Sequence, residues 1–309
     1  MHPAYSVIVF TTASGAGYGL LALLGLVGFN HGQASSVAFA LTCMVVALGL
    51  ITIGLLSSTL HLGHPERAWR ALSQWRSSWL SREGVAAVVT YVPALGFGLV
   101  WSGLVAAPQW IASLGILTTA MALVTIFTTA MIYASLKTIR AWNQKLTAPV
   151  YLVLGLATGS CLLAAISAMF DRFQIFQVIL TVILLTLSCG LKFIYWRAID
   201  TDPRTHTMEA ATGLGRIGKV SQWDVPHTSE NYVQREMGFA VARKHAEKLR
   251  MMVLVLLALA ILAMLASLAL SYVATLAAGL ALAAAVVERW LFFAEAQHVV
   301  TLFYGAESA

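Results

Sequence analysis

Charge is what this sequence has least of. Lys, Arg, Asp and Glu together make up 10% of the 309 residues, where a soluble domain carries about 25%. With 59% hydrophobic residues, that shortage excludes an ordinary soluble domain and points to the membrane class. The net charge of +6 does not argue for nucleic acid, because the basic residues lie in loops between apolar runs and not on one water-exposed face; no nucleic-acid partner is expected. Cysteine is scarce too. Cys43, Cys161 and Cys189 are odd in number, far apart and inside apolar runs, and no C-x-x-C occurs. That excludes a disulfide framework and an iron–sulfur ligand set of the chain's own, and no metal site is expected. The thiols read as small buried apolar groups. No Lys or Arg precedes Arg67, so the charged n-region of a cleavable signal peptide is missing and the first apolar run is expected to be retained.

What is present is a series of long apolar runs. A helix needs about 20 apolar residues to cross the hydrocarbon core. Eight stretches qualify, at residues 5–29, 35–61, 84–106, 109–133, 148–169, 173–195, 250–273 and 276–302. The expectation is an all-α, polytopic membrane protein: one integral domain over 1–309, an eight-transmembrane-helix bundle with a cytoplasmic loop at 198–249. The very short turns near Pro108, Asp171 and Thr275 predict antiparallel hairpins. Gly15-x-x-x-Gly19 in the first run permits close helix approach.

The loops carry the orientation. Arg67, Arg70, Arg76 and Arg82 follow span 2, and Lys137, Arg140 and Lys145 follow span 4. The end of span 6 and its loop hold ten more, from Lys192 to Arg250. That places 17 of 19 basic residues on one side, leaving Arg172 on the other and Arg289 inside span 8. By the positive-inside rule that side, with both termini, is cytoplasmic. The 198–249 loop contains Gly213-x-Gly215-x-x-Gly218, but no strand is expected before it, so it is no dinucleotide fingerprint. Its last part, Glu230 to Arg250, reads as an amphipathic helix.

Two constellations could carry chemistry. The first is His61-Leu-Gly-His64-Pro-Glu-Arg67-Ala-Trp69-Arg70, followed by Ser81-Arg-Glu83. It puts two titratable groups, His61 and Glu83, at one membrane boundary beside Trp69, Trp75 and Trp79. Quinone chemistry needs two protons, hydrogen bonds to both carbonyls and an apolar slot; a histidine and a carboxylate can supply the protons. The same residue types also serve as headgroup anchors. The second is Glu288, Arg289, Glu295 and His298. Ionisable residues within a span are costly unless paired, and mark candidate functional sites. Glu288, Glu295 and His298 at i, i+7, i+10 would share a helical stripe. Arg289, about 100° round from Glu288, is expected to pair elsewhere. A proton path and an interhelical ion pair are both open. His61 with His298 is the best pair for a haem, but no second transmembrane histidine pair exists, and haem b is not expected.

The run His61-Leu-Gly-x-Pro-x-Arg67-Ala with Ser81-x-Glu83 resembles the membrane-anchor subunit of the dimethyl sulfoxide reductase family, over the whole eight-span layout. Tyr133-Ala-Ser-Leu-Lys137-Thr-Ile, Glu288-Arg-Trp-Leu-Phe-Phe-Ala-Glu295 and Ala211-Thr-Gly-Leu-Gly-Arg-Ile-Gly-Lys219 are similar to the anchor subunit of cytoplasmic sulfite dehydrogenases. The resemblance implies a non-catalytic subunit in the bacterial cytoplasmic membrane. Its expected partners are an iron–sulfur electron-transfer subunit and a molybdopterin catalytic subunit on the cytoplasmic face. It implies exchange of electrons with a quinone, ubiquinone or menaquinone, with His61 tied to quinone binding and Glu83 and Arg67 in the same motif. The longer loop 6–7 departs from the reductase branch, whose substrate is not carried across. The direction implied is sulfite to quinone. A quinol-oxidising reductase anchor is the reverse alternative, and a secondary transporter a third, for which no internal repeat is evident.

Overall fold

The computed structural model describes residues 4–60, 62–201, 206–224, 245–304 and 306. Eight helices are long and apolar enough to cross a membrane: α1 Tyr5–His31, α2 Val37–Thr59, α3 Trp79–Trp101, α4 Pro108–Ala134, α5 Thr147–Met169, α6 Ile175–Thr201, α7 Ala246–Ala266 and α8 Val273–Ala294. No β-strand occurs among the described residues. Large apolar side chains such as Val45, Val92, Ile183 and Leu262 are exposed on the outside of the bundle. In water such a surface would be a liability; against acyl chains it is the solvated face. The protein is a multi-pass membrane protein, and its backbone polar groups are satisfied within the helices, as a bilayer demands.

Consecutive helices α3–α4, α5–α6 and α7–α8 pack as antiparallel hairpins. The centre is α1, which packs on α2, α4 and α5; α5 in turn meets α8, and α6 meets α7. An uncharged helix rich in glycine can take that place, because small residues let backbones touch and so maximise dispersion contact where no hydrophobic drive exists. The tight positions differ from the Gly15–Gly19 pair marked by the sequence. A Cβ on Gly19 would collide with the Gly155 carbonyl, and one on Gly159 with the Leu20 backbone nitrogen, whereas a Cβ on Gly15 meets nothing within 4 Å. Gly15 lines a cavity instead. Just before it, Phe10–Ser14 form a π-helical turn, a distortion often found at functional sites.

Three differences from the sequence reading have physical causes. First, α8 stops at Ala294, with Glu295 as its cap and a 3-10 turn at Val299–Tyr304, so the apolar run to 302 is not one span. Second, Lys192 belongs to no loop. It is buried within α6 against an acidic partner. Third, the glycine-rich stretch follows a one-turn helix, Met208–Thr212, that Thr207 caps (Oγ1 accepts from Ala210 N, 3.2 Å) and Gly213 ends at φ 69°. Of the expected helix Glu230 to Arg250, the part up to residue 244 lies outside the described residues; from Ala246 the chain is α7.

The α1–α5 contact should be the least tolerant in the fold. Gly19→Ala or Gly159→Ala should lower stability by about 1–3 kcal/mol through overpacking, read as a loss of thermal stability in detergent. Gly15→Ala should leave it unchanged.

Candidate functional site

The first constellation is split by depth. His61 lies outside the described residues. From Leu62 the chain runs through an exposed 3-10 segment, Pro65–Gln74, in which His64 Nδ1 meets Glu66 Oε1 at 3.1 Å and Arg67 Nε meets the same oxygen at 3.6 Å. Trp69 is exposed beneath the Arg70 guanidinium, 5.6 Å from its ring centre. These three side chains, His64, Arg67 and Trp69, sit on the surface and do not converge with Glu83. Ser81 has a structural part: its hydroxyl donates to the Ala71 carbonyl, tying the segment to the start of α3. Arg82 reinforces the tie by donating to the Trp75 and Arg76 carbonyls at 3.0 and 2.7 Å.

Glu83, one turn into α3, is buried and faces the interior of the bundle, and among the described residues its Oε1 has no hydrogen-bond partner. Tyr133 stacks on Tyr151 of α5 (5.8 Å between centroids), and Tyr151 lies under the Arg289 guanidinium at 3.8 Å. A buried carboxyl in this setting demands a partner that the described residues do not provide.

The second constellation centres on Glu288, which is fully buried and bridges two cations. Lys192 Nζ of α6 approaches Oε1 at 2.6 Å, and Arg289 Nε pairs with Oε2. This corrects the expectation that neighbours 100° apart on a helix cannot pair: the long guanidinium folds back onto the one carboxylate within its reach. The cations also rest on aromatic faces, Lys192 on Tyr195 and Trp196 (4.2 and 4.6 Å) and Arg289 on Tyr151 and Phe292 (3.8 and 5.0 Å), which offsets part of the desolvation cost. Nearer the basic end, Glu295 meets Arg250 of α7 (Oε1 to Nη2 2.8 Å), and Arg250 grips Asp200 of α6 bidentately at 2.6 and 3.1 Å. The expected stripe is broken after Glu295, because the helix ends there. His298 lies beyond it, its Nδ1 accepting from Val300 N at 3.0 Å. Burial lowers its pKa. Burial raises the Glu295 pKa against the pull of Arg250.

A cavity of about 20 Å³ is lined by Thr12, Ser14 and Tyr18 of the α1 π-turn region, Tyr151 and Thr158 of α5, and Arg289. Among the described residues the Thr12 and Tyr18 hydroxyls have no hydrogen-bond partner, while the Tyr151 hydroxyl lies beside the Arg289 guanidinium. The cavity's size decides what it can hold. A water needs about 10–15 Å³ of such volume, while a benzene ring takes a cavity of about 150 Å³. The space suits water and excludes a quinone ring.

Sequence reasoning missed Lys192, Tyr18, Tyr133, Tyr151, Arg250 and Asp200. Lys192 carried a usable signal, an ionisable residue inside an apolar run, and was counted as a loop charge. The tyrosines carried none. No group of three or more potential metal ligands occurs among the described residues, and the His61 half of the candidate haem pair lies outside them.

Charge balance makes the cluster testable. Glu288→Gln leaves two buried cations and should cost about 3–5 kcal/mol, whereas Lys192→Met leaves the Glu288–Arg289 pair neutral and should cost clearly less; thermal unfolding of the purified chain gives both. Because folding raises the Glu295 pKa above its ordinary 4.5, its contribution to stability falls as pH rises from that value through the folded pKa. Glu295→Gln should flatten that part of the stability–pH curve.

Comparison with known proteins agrees with the architecture. The family model described as DMSO reductase anchor subunit (DmsC) matches residues 1–306. The chain is also 32% identical to a sulfite dehydrogenase subunit of Allochromatium vinosum, over 98% of this chain and 99% of the relative. On both grounds, this chain belongs to the DMSO reductase anchor subunit family.

Proposed function

We propose that this protein is the quinone-reactive membrane subunit of a molybdopterin and iron–sulfur oxidoreductase complex, passing electrons from sulfite oxidation to the quinone pool of a bacterial cytoplasmic membrane. The observation that carries it is Glu83: a buried carboxyl with one oxygen left without a partner among the described residues. That free oxygen fits the hydrogen bond a quinone oxygen requires. Reduction of a bound quinone consumes two electrons and two protons. Glu83, with His61, would hold one oxygen of the ring and hand it a proton; Ser81 fixes the backbone that carries Glu83.

Protons reach Glu83 by one of two routes. One leads from the loop that carries His64 and Arg67. The other leads inward from Asp200, Arg250 and Glu295 past Lys192, Glu288 and Arg289 to Tyr151 and Tyr18. On the inner route the 20 Å³ cavity supplies room for the water that the Thr12 and Tyr18 hydroxyls call for. Glu288 and Arg289 are then an ion pair that holds the route open, and Glu295 is its proton-exchanging entrance. His298, three residues further on, would stand at the same entrance.

The basic residues that the sequence places after spans 2, 4 and 6 support putting that side in the cytoplasm. The exposed Trp69 and Trp75 with Arg67, Arg70 and Arg76 offer the iron–sulfur subunit an aromatic and arginine surface directly above Glu83, of the kind enriched at protein interfaces. The relative's name supports the sulfite direction; the reductase description of the family supports the reverse, quinol oxidised.

The test is the complex purified with its natural partners. Molybdenum and iron–sulfur clusters should be present, with sulfite:quinone activity. Glu83→Gln should lower quinone-coupled turnover by about 10²–10⁴-fold while sulfite oxidation with a soluble artificial acceptor stays unchanged. Unaltered quinone coupling in the assembled variant would refute the assignment.

A further inference from the structure

A much larger cavity, about 500 Å³, opens at the opposite end of the bundle, between α1, the start of α2, α5 and the start of α6. Taking about 150 Å³ for the six carbons of benzene, it has room for roughly twenty carbon atoms. Its walls include buried Phe39 and Leu163, and its mouth is flanked by exposed Leu26 and Phe176. An occupant from the bilayer can therefore enter sideways without crossing water.

Two polar features set the chemistry of that occupant. Arg172 is the only Lys or Arg lining this cavity among the described residues. Among the described residues its guanidinium has no acidic partner, and its one hydrogen bond is a long contact, 3.5 Å, from Nη2 to the Ser35 carbonyl. Thr181, fully buried on the cavity wall, has a hydroxyl with no partner. Its neighbours are satisfied, Gln177 Nε2 donating to Ser167 Oγ at 2.8 Å. Thr181 lies six residues into α6 from Ile175, roughly 9 Å below the helix start along its axis. A cation at the rim, a lone hydroxyl one layer down and an apolar chamber below match phosphate, glycerol ester and acyl chain in that order. A quinone would leave the charge at the rim unused.

We propose that this cleft is a binding site for one anionic phospholipid of the leaflet at the Arg172 end. The phosphate is held by Arg172, an ester oxygen by the Thr181 hydroxyl, and one acyl chain fills the chamber. The site is independent of the electron-transfer reading, because it lies at the other end of the bundle from Glu83 and uses none of its residues. Such a lipid would wedge α6 against α1 and α5 where their loops are short.

The experiment is a titration of the full chain, purified and delipidated in mild detergent, with dioleoylphosphatidylglycerol, counting bound lipid by native mass spectrometry. One lipid per chain should be retained most tightly. Arg172→Gln should weaken its retention about fivefold, the value of one basic residue at a lipid headgroup. Leu26→Trp, at the exposed mouth where folding is not at stake, should block it. Equal retention by wild type and both variants would overturn the proposal. So would displacement by water-soluble glycerol phosphate, which would make it a plain phosphate site, or preferential retention of a quinone over the phospholipid.

Discussion

A carboxylate caught between two cations inside the membrane-spanning bundle is the constraint on which this fold depends. Glu288 cannot remain ionised in a hydrocarbon setting alone, and neither can Lys192 or Arg289. Each charge is tolerable only where the others are, so α6 and α8 are fixed in rotation and depth relative to one another. The aromatic faces of Tyr151, Tyr195, Trp196 and Phe292 complete the shell, which draws α5 into the same arrangement. One carboxylate against two cations leaves the cluster one charge positive. Arg289 also lines the small cavity beside Tyr18 and Tyr151.

Close packing and polarity are thus divided along α1. Its glycine stretch brings the backbone against α5 and α4 where only dispersion holds helices together. Its N-terminal part does the opposite: the π-turn at Phe10–Ser14 and the open side of Gly15 leave a small polar space beside Thr12 and Tyr18. The two cavities show how volume sorts function. About 20 Å³ among orphaned hydroxyls suits water, and about 500 Å³ among leucines and phenylalanines suits an acyl chain.

The spans were legible because the bilayer imposes a length and a composition on every helix, and both are local properties of the sequence. Short turns at Pro108 and Asp171 revealed the hairpins for the same reason. The end of α8 was not legible: residues 295–302 stay apolar enough to extend a span, and only the tertiary fold turns the chain there. Glu83, Glu288 and Glu295 stood out because charge in an apolar run is rare. Their partners stood out less, since a tyrosine within a span is as compatible with plain packing as with a proton chain.

What the sequence by itself determined is the number of helices, the family, and the asymmetry of charge between the two ends. These follow from composition and motif, which need no knowledge of neighbours. What only the tertiary structure decided is which charges meet. Arg289 folding back on Glu288, Lys192 reaching it from α6, and Glu83 turned into the bundle depend on helix rotation and depth. Those are set by contacts between residues about a hundred or more positions apart, such as Gly19 with Gly155 and Lys192 with Glu288. Periodicity along one helix carries no record of them.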